Sequence, residues 1–159
     1  MDVIYTTDGS GKCILKSSDE VSAIGAIDEA NSFIGIAKIF SKREEVKKIL
    51  SEVQKLIFKV GGEISGYCKV NEDVCKRLSE FVEFFEAKVE KPRCFLILEK
   101  DEATAFLSAA RAVVRRAERE AVKLYLKGKI SKTPIIFLNK LSYLLYLATL
   151  YEGDEFEKI

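Results

Sequence analysis

The stretch from Thr133 to Gly153, TPIIFLNKLSYLLYLATLYEG, decides the fold of this chain. Thr133 and Pro134 are typical of a helix start, because threonine caps a helix and proline suits its first turn, and Gly153 is typical of a helix end. Between them, leucine and other apolar residues leave little polar surface. A helix that is apolar nearly all round is buried, either at the centre of a bundle or between subunits. The stretch therefore predicts a helix that other helices surround.

Helical periodicity also runs through most of the chain before this stretch. Four more helices are predicted, at Asp19–Phe40, Glu44–Tyr67, Glu72–Val89 and Asp101–Leu126. Pro92 interrupts the pattern, and residues 94–98 (CFLIL) form a short apolar stretch that is extended or irregular. Because the connections are short, the helices should pack as antiparallel neighbours. We predict an all-α five-helix bundle in a single domain, residues 1–159, in which residues 1–18 precede the helices of residues 19–152.

The composition is that of a globular domain with balanced charge. The chain has 159 residues, of which 48% are hydrophobic, and its formal net charge is +1. A balanced charge gives no reason to expect a nucleic acid or a membrane as a partner. No apolar run reaches the ~18 residues of a membrane span, and the N-terminus lacks the basic-then-apolar plan of a signal peptide. We therefore expect a soluble, cytoplasmic protein.

Histidine and cysteine usage narrows the chemistry. The chain contains no histidine, which excludes Ser-His-Asp and Cys-His catalysis and removes the commonest zinc ligand. The four cysteines have neither the C-x-x-C spacing of a metal site nor the density of a disulfide scaffold. We expect them to be reduced thiols in half-buried positions, and we expect no metal site held by the protein alone.

The segment from Arg111 to Arg119, RAVVRRAER, concentrates arginine. Nineteen of the 26 basic residues are lysine and seven are arginine, yet four of those seven fall in this segment. At about 100° per residue, one stripe of the helix carries Arg111, Arg115, Glu118 and Arg119. A solvated face would draw on the abundant lysine, whereas the planar fork of arginine suits a site that holds phosphate or carboxylate. The pattern favours an anion site over a solvated charged face.

Two further polar residues lie among small or apolar neighbours. Asp28 lies between Gly25 and Ser32, on a small-residue face that permits close approach of a neighbouring helix. Its carboxylate is either an incidental helix aspartate or the partner of an arginine from the fourth helix, since a carboxylate in such a contact needs a cation. Asn139 lies in the apolar fifth helix, where its amide must find a partner. A hydrogen-bonded core asparagine and a ligand contact both fit this position.

The N-terminal segment TTDGSGK has two interpretations. It consists of Thr6, Thr7, Asp8, Gly9, Ser10, Gly11 and Lys12. Asp-Gly is a strong turn signal, which indicates a plain hairpin turn. The amides, hydroxyls and lysine of the segment also suit a loop that wraps a phosphate chain. The segment is not a Walker A loop, because G-x-x-x-x-G-K-[ST] is not matched and no parallel sheet follows.

Taken in order, these pieces resemble the PduO-type ATP:cob(I)alamin adenosyltransferases over nearly the whole chain. Residues 25–32 (GAIDEANS) are similar to the family's G-x-x-D-E-L-N-S, and residues 137–142 (FLNKLS) are similar to its F-[IL]-N-R-L-S. The residues 4–6 (IYT), Phe95 before the fourth helix and the run from Ala110 to Arg119 complete the match. The arginine run and F-L-N-x-L-S at this separation form a specific combination.

The resemblance implies a homotrimer with active sites between subunits. It implies transfer of the 5′-deoxyadenosyl group of ATP to the cobalt of cob(I)alamin or a related corrinoid, with release of triphosphate. Mg²⁺ would accompany ATP, and a corrinoid reductase would act as a partner where the reaction begins from cob(II)alamin. Because Co(I) is itself the nucleophile, no side chain must act as a base, which suits a chain without histidine.

The resemblance also assigns residues to roles. ATP would be bound by the segment from Thr6 to Lys12 and by Lys16, Arg115, Arg116, Glu118, Arg119 and Asn139. Asp28 and Arg111 would form an ion pair between subunits. Phe95 would lie against the lower face of the cobalt. The residues implied as catalytic are Arg115, Phe95, Asp28 and Arg111.

The chain departs from the family pattern at its N-terminus, where TTDGSGKC replaces T-K-x-G-D-x-G-x-T. Residues 16–19 (KSSD) replace the usual K-D-D-P-R stretch, and Glu99 and Lys100 replace a glycine pair. Two classes of function therefore stay open: an active adenosyltransferase, and a catalytically weak paralogue that binds nucleotide or corrinoid as a sensor or carrier. A purely structural trimeric bundle would leave the concentration of arginine unexplained.

Overall fold

The computed structural model describes residues 2–159, and these residues form five α-helices. The helices are α1 (Asp19–Phe40), α2 (Glu44–Ile64), α3 (Asp73–Glu86), α4 (Glu102–Leu126) and α5 (Thr133–Gly153). Helix α1 packs on α4 and α2, while α5 packs on α4, α3 and α2. The predicted five-helix architecture is confirmed.

Helix α5 is the centre of the bundle, as its composition predicts. Fourteen of its 21 residues are buried. By length and composition alone α5 could cross a membrane, yet 67% of its most apolar window is buried inside the bundle. The core helix of a bundle meets the same criterion, because it too is apolar all round. Its one buried carboxylate, Glu152, accepts hydrogen bonds from Ser41 Oγ (2.6 Å) and Lys42 N (2.5 Å), which ties the α1–α2 connection to the core.

Several helix boundaries differ from the prediction. Helix α2 ends at Ile64, three residues before the predicted end, because Gly66 adopts a φ of +81° that the helix cannot continue through. Helix α3 is shorter than predicted at both ends. Asp101 is the N-cap of α4 rather than its first residue. The predicted cap Thr133 is instead the first residue of α5, and the side chain of the N-cap residue, Lys132, makes no capping hydrogen bond.

Two short antiparallel ribbons accompany the helices, and the all-α prediction did not include them. Strands β1 (Tyr5–Thr7) and β2 (Cys13–Leu15) form the first ribbon, in which Thr6 pairs with Ile14. Strands β3 (Leu96–Ile97) and β4 (Glu157–Lys158) form the second ribbon, which joins the segment before α4 to the segment after α5. The predicted extended stretch at residues 94–98 thus contains β3. Its pairing with β4 brings residues from distant parts of the sequence together.

Asp101 caps α4, and the titration of its carboxylate makes the stability of the folded protein depend on pH. Its Oδ1 accepts a hydrogen bond from Thr104 N (2.9 Å), and its Oδ2 accepts one from Lys42 Nζ (2.6 Å). The bond from Lys42, followed by the bond from Thr104, lowers the pKa of Asp101 to about 2. Because the pKa is lowered in the folded state, the stabilisation is present above the ordinary carboxylate pKa and is lost as the pH falls toward 2.

We therefore expect acid to unfold Asp101→Asn less steeply than the wild-type protein. Asparagine caps a helix about as well as aspartate, so the variant keeps the cap and loses the titrating group. Between about pH 5 and about pH 2, the free energy of unfolding of the wild-type protein should fall by about 1–2 kcal/mol more than that of the variant. Urea titrations followed by helical circular dichroism at equal protein concentration measure this difference. Parallel pH profiles would contradict the assignment.

Candidate functional site

Arg115 and Arg119 lie one turn apart on the exposed surface of α4. Arg119 Nη1 donates to the backbone carbonyl oxygen of Arg115 (3.2 Å), which holds the Arg119 side chain along α4 toward Arg115. In the part of the chain that the structure describes, neither guanidinium is paired with a carboxylate. Two adjacent and unneutralised arginines repel each other unless an anion lies between them. The predicted anion site is therefore available at this stripe.

Arg116 lies apart from this pair. The guanidinium of Arg116 forms an ion pair with Glu29 on α1, so this group faces the neighbouring helix of the same chain. Of the arginines predicted to bind ATP, the structure thus brings Arg115 and Arg119 together and leaves Arg116 as a link between α1 and α4. In the sequence, Glu29 directly follows Asp28. The sequence therefore indicates a carboxylate at this point of α1, but it does not show which of the two pairs with an arginine of α4.

Asn139 and Glu118 join α5 to α4 beside the arginine pair. Asn139 is exposed, so the interpretation as a core asparagine is wrong. Its Nδ2 donates to Glu118 Oε1 (3.1 Å), which leaves the amide oxygen of Asn139 available to a ligand. Asn139 also lines a cleft of about 400 Å³ between α3 and α5, together with Tyr143. Arg115, Arg119, Glu118 and Asn139 therefore share one polar edge of the bundle.

Asp28 and Arg111 do not meet within one chain. Asp28 is exposed, and among residues 2–159 its carboxylate has neither a hydrogen-bond donor nor a cation as partner. Arg111 is half-buried on α4, and its Cζ lies 5.7 Å from the ring centroid of Tyr146 on α5. Gly25 and Ser32, which flank Asp28 along α1, are also exposed. This open small-residue face has room for a close neighbour.

The N-terminal loop, residues 8–12, is the turn of the β1–β2 hairpin, so the hairpin interpretation is confirmed. Asp8 Oδ1 accepts hydrogen bonds from Ser10 Oγ (2.7 Å), Lys12 N (2.9 Å) and Ser10 N (3.0 Å). These bonds, the one from Ser10 Oγ first, lower the pKa of Asp8. Gly9 N donates to Ser65 O at the end of α2 (2.9 Å), where a Cβ on Gly9 would crowd the same oxygen.

This loop is not joined to the arginine stripe within one chain. Its hydrogen bonds lie inside the loop or reach Ser65, and none of those recorded for residues 2–159 reaches α4. Lys16, which follows β2, is exposed and makes a backbone bond to Ile4 O (2.9 Å). Within one chain, the loop therefore shares no recorded hydrogen bond with Arg115.

Phe95 is 84% exposed, so its interpretation as a core aromatic is wrong. It directly precedes β3 and is held by the second ribbon, where its carbonyl oxygen accepts a hydrogen bond from Ile159 N (3.0 Å). A phenylalanine this exposed beside a strand is a large apolar surface that residues 2–159 leave uncovered. The cysteine prediction is also wrong in part, because Cys75 alone is half-buried while Cys13, Cys68 and Cys94 are exposed.

Sequence reasoning missed the aromatic residues of this site. Tyr143 and Tyr146 follow Asn139 at intervals of four and three residues, which places all three on one face of α5. Tyr143 OH donates to Glu86 on α3 (2.6 Å), and burial followed by this bond raises the pKa of Tyr143. The spacing was a signal that could have identified the face, since Asn139, Tyr143 and Tyr146 recur at helical intervals in a helix that is otherwise mostly apolar.

The fold and these residues define a class of protein: a five-helix bundle with an exposed arginine pair on its fourth helix and an exposed aromatic residue before that helix. More particularly, the chain belongs to the cobalamin adenosyltransferase family, whose model matches residues 2–152. The resemblance to the PduO-type enzymes is thereby confirmed.

Individual relatives agree with this assignment. The chain is 31% identical over 142 residues to a cobalamin adenosyltransferase of Cupriavidus metallidurans, covering 87% of this chain and 77% of that one. It is 29% identical to a corrinoid adenosyltransferase of Bacillus subtilis, covering 84% and 74% of the two chains. Among solved structures, it is similar to a variant PduO-type ATP:corrinoid adenosyltransferase from Lactobacillus reuteri complexed with ATP. That similarity has a TM-score of 0.90 and 25% identity and covers 99% and 96% of the two chains.

Proposed function

We propose that this protein transfers the 5′-deoxyadenosyl group of ATP to the cobalt of cob(I)alamin or a related corrinoid and releases triphosphate. The observation that carries the proposal is the exposed, unneutralised pair Arg115 and Arg119, in a chain whose relatives are adenosyltransferases. The alternative of a weak paralogue that acts as a sensor or carrier is not favoured, because the chain keeps the arginine pair and the Glu118–Asn139 contact.

The reaction needs positioning more than proton transfer. Co(I) donates an electron pair to C5′ of the ribose, the C5′–O bond breaks, and the triphosphate leaves with the electrons of that bond. The cobalt ends as an alkylated Co(III), and no proton has to be removed from either substrate. The protein therefore has to hold C5′ and cobalt in line and stabilise the charge on the leaving triphosphate. A chain without histidine can do both.

Arg115 and Arg119 hold the triphosphate in this proposal. Their forks each offer paired N–H donors to phosphate oxygens. Asn139, fixed by Glu118, turns its amide oxygen toward the rest of the nucleotide. Arg116, through Glu29, keeps α4 in register with α1. Mg²⁺ would accompany ATP and would neutralise charge on the triphosphate, as it commonly does with phosphate substrates.

The active site forms between copies of the chain in a homotrimer. The N-terminal loop and Lys16 come to the nucleotide from a neighbouring subunit. This part of the proposal is supported by the loop's hydrogen bond to Ser65 and by the lack of any recorded hydrogen bond from the loop to α4 among residues 2–159. The unpartnered Asp28 of one subunit pairs with Arg111 of the next across the open face around Gly25. Phe95 then lies against the lower face of the corrinoid. A corrinoid reductase supplies Co(I) when the substrate arrives as cob(II)alamin.

We expect Arg115→Lys to lose at least about tenfold in kcat/KM for ATP, equivalent to ~1.4 kcal/mol. Lysine keeps the charge but cannot make the forked contact with phosphate. Arg115 is exposed, so the helical circular dichroism should not change. Steady-state kinetics with saturating corrinoid measure the effect, and Lys123→Arg, on the exposed end of α4, is the matched control. Wild-type kinetics in Arg115→Lys would remove this arginine from the nucleotide site.

The identity of the phosphate product tests the reaction class. Attack at C5′ releases intact triphosphate, whereas attack at phosphorus would release ADP or AMP. We expect phosphorus NMR of the anaerobic reaction mixture to show triphosphate accumulating in step with corrinoid consumption. ADP as the product, or triphosphate without corrinoid consumption, would refute the proposed reaction.

A further inference from the structure

Phe95 belongs to an apolar surface on the outer face of the second ribbon. The register pairs Leu96 with Lys158 and Ile97 with Glu157, and Ile159 N donates to Phe95 O. Residues opposite each other in an antiparallel pair share a face, and alternate residues point to opposite faces. Phe95, Ile97 and Ile159 therefore share the outer face, where they are 84%, 39% and 79% exposed.

The inner face of the ribbon does not rest on the core. Leu96 and Lys158 line a cavity of about 1130 Å³ that separates the ribbon from Tyr151 and Leu150 of α5. A two-stranded ribbon is at best marginally stable without packing on one face. Some other contact must therefore hold the strands, and hence Phe95, in place.

The segment that follows α5, residues 154–159, supplies that contact and is called the anchor segment here. The ring of Phe156 lies directly against the Cα of Gly153, since a Cβ at that position would overlap the ring. Lys100 Nζ donates to Gly153 O (2.5 Å) and lies 5.7 Å from the centre of the same ring. Asp154 turns the chain with a φ of +59° and pairs with Arg43 (2.6 Å). The contact of the Phe156 ring with Gly153 thus fixes the segment that leads from α5 to β4.

We propose that Phe156 is a positioning residue for Phe95. By fixing the anchor segment against Gly153, it holds β4 in register with β3 and so holds the Phe95 ring at a set height and angle above the ribbon. Ile159 extends the apolar surface beside that ring. The role of the positioned ring rests on the proposed function, in which it lies against the lower face of the corrinoid. The cavity behind the ribbon explains why this positioning depends on one aromatic contact rather than on the core.

The test compares Phe156→Ala with Phe95→Ala in two assays. From cob(II)alamin with a biological reductant, we expect Phe156→Ala to lose on the order of tenfold to a hundredfold in turnover, as a misplaced group does. From chemically supplied cob(I)alamin, the loss should be much smaller, and the KM for ATP should not change. Phe84→Ala is the matched control, because Phe84 is half-buried against Phe85 and against Tyr151, which lines the same cavity, and has no recorded ring contact with the anchor segment. The control should lower the melting temperature and leave the ratio of the two activities unchanged.

A second measurement does not depend on activity. The chain contains no tryptophan, so Phe95→Trp introduces a single indole on the ribbon. We expect its fluorescence anisotropy to fall when Phe156→Ala is added, and to fall likewise with Ile159→Pro, which removes the N–H that donates to Phe95 O. Ile159→Pro alters an exposed residue and keeps the protein folded if Phe156→Ala does not.

The outcomes separate the two proposals. If Phe95→Ala loses activity selectively from cob(II)alamin but Phe156→Ala and Ile159→Pro do not, the positioning role is wrong. Unchanged anisotropy in both backgrounds would overturn it as well. If Phe95→Ala itself shows no selective loss while anisotropy falls, the positioning is real and the role proposed for Phe95 is wrong.

Discussion

Phe95→Ala is expected to lose about a hundredfold or more in turnover when the reaction starts from cob(II)alamin and a biological reductant, an effect of ~2.7 kcal/mol. Reducing Co(II) to Co(I) is difficult while a lower axial ligand feeds electron density to the metal. An apolar ring against the lower face displaces that ligand and excludes water, which makes the reduction easier. Phe95 can supply such a ring because it is exposed on a ribbon rather than packed in the core.

Starting from chemically reduced cob(I)alamin, the same variant should come close to wild-type turnover, because the difficult reduction is already complete. A core role would instead give ~3–5 kcal/mol of lost stability and equal losses in both assays. Since Phe95 is 84% exposed, we expect the melting temperature to stay close to that of the wild-type protein. Phe58→Ala, at a residue that is 71% exposed on α2, is the control for losing an exposed ring elsewhere. Equal losses from both starting states would exclude the proposed role of Phe95.

Asp28→Ala is expected to weaken the proposed trimer and the activity together. In the assembly, removing this carboxylate would leave Arg111 of the next subunit buried without its partner, which destabilises by roughly 3–5 kcal/mol when the site is dry. Sedimentation at low micromolar protein should then show dissociation, with activity falling in proportion. Glu29→Ala is the matched control, because Glu29 is the next residue along α1 and is already paired within its own chain to Arg116. It should stay trimeric.

Charge reversal tests the same pair more directly. Asp28→Arg and Arg111→Asp should each dissociate the assembly, since each places like charges opposite one another. The protein that carries both substitutions restores an opposite-charge pair at every interface and should recover trimers. A fully trimeric and active Asp28→Ala, or a double variant no better than either single one, would remove the pair from the interface.

The helices could be predicted because their pattern is local. Helix α1 has the predicted bounds, since Ser18 caps its start and its apolar residues recur at helical intervals throughout. The end of α2 was predicted three residues too late, because apolar periodicity continues while Gly66 turns the backbone. The pairing of β3 with β4 could not be predicted. Each strand is two residues long, and β4 contains only charged residues, so neither carries a strand signal.

The arginine pair of the candidate site could be predicted from the sequence, because the type of residue used there is unusual for this chain. The use of arginine in a lysine-rich chain identified Arg115 and Arg119, which the structure leaves exposed and unneutralised. The same reasoning did not separate Arg116, because its partner Glu29 lies on another helix and follows from tertiary packing. The exposure of Phe95 depends on a ribbon whose second strand lies about 60 residues further along the chain. Closing so long a loop costs conformational entropy, and no local sequence pattern predicts which distant segments pair.

The central claim is that this protein forms a carbon–cobalt bond from ATP and Co(I). Anaerobic incubation with ATP, Mg²⁺ and chemically reduced cob(I)alamin, followed by absorbance spectroscopy, tests it most directly. We predict that the Co(I) spectrum is replaced by that of an alkylated, light-sensitive cobalamin, that one ATP is consumed for each product, and that Arg115→Lys slows the change by at least about tenfold. A Co(I) spectrum that persists, or one that decays only to cob(II)alamin at the rate seen without protein, would contradict the account.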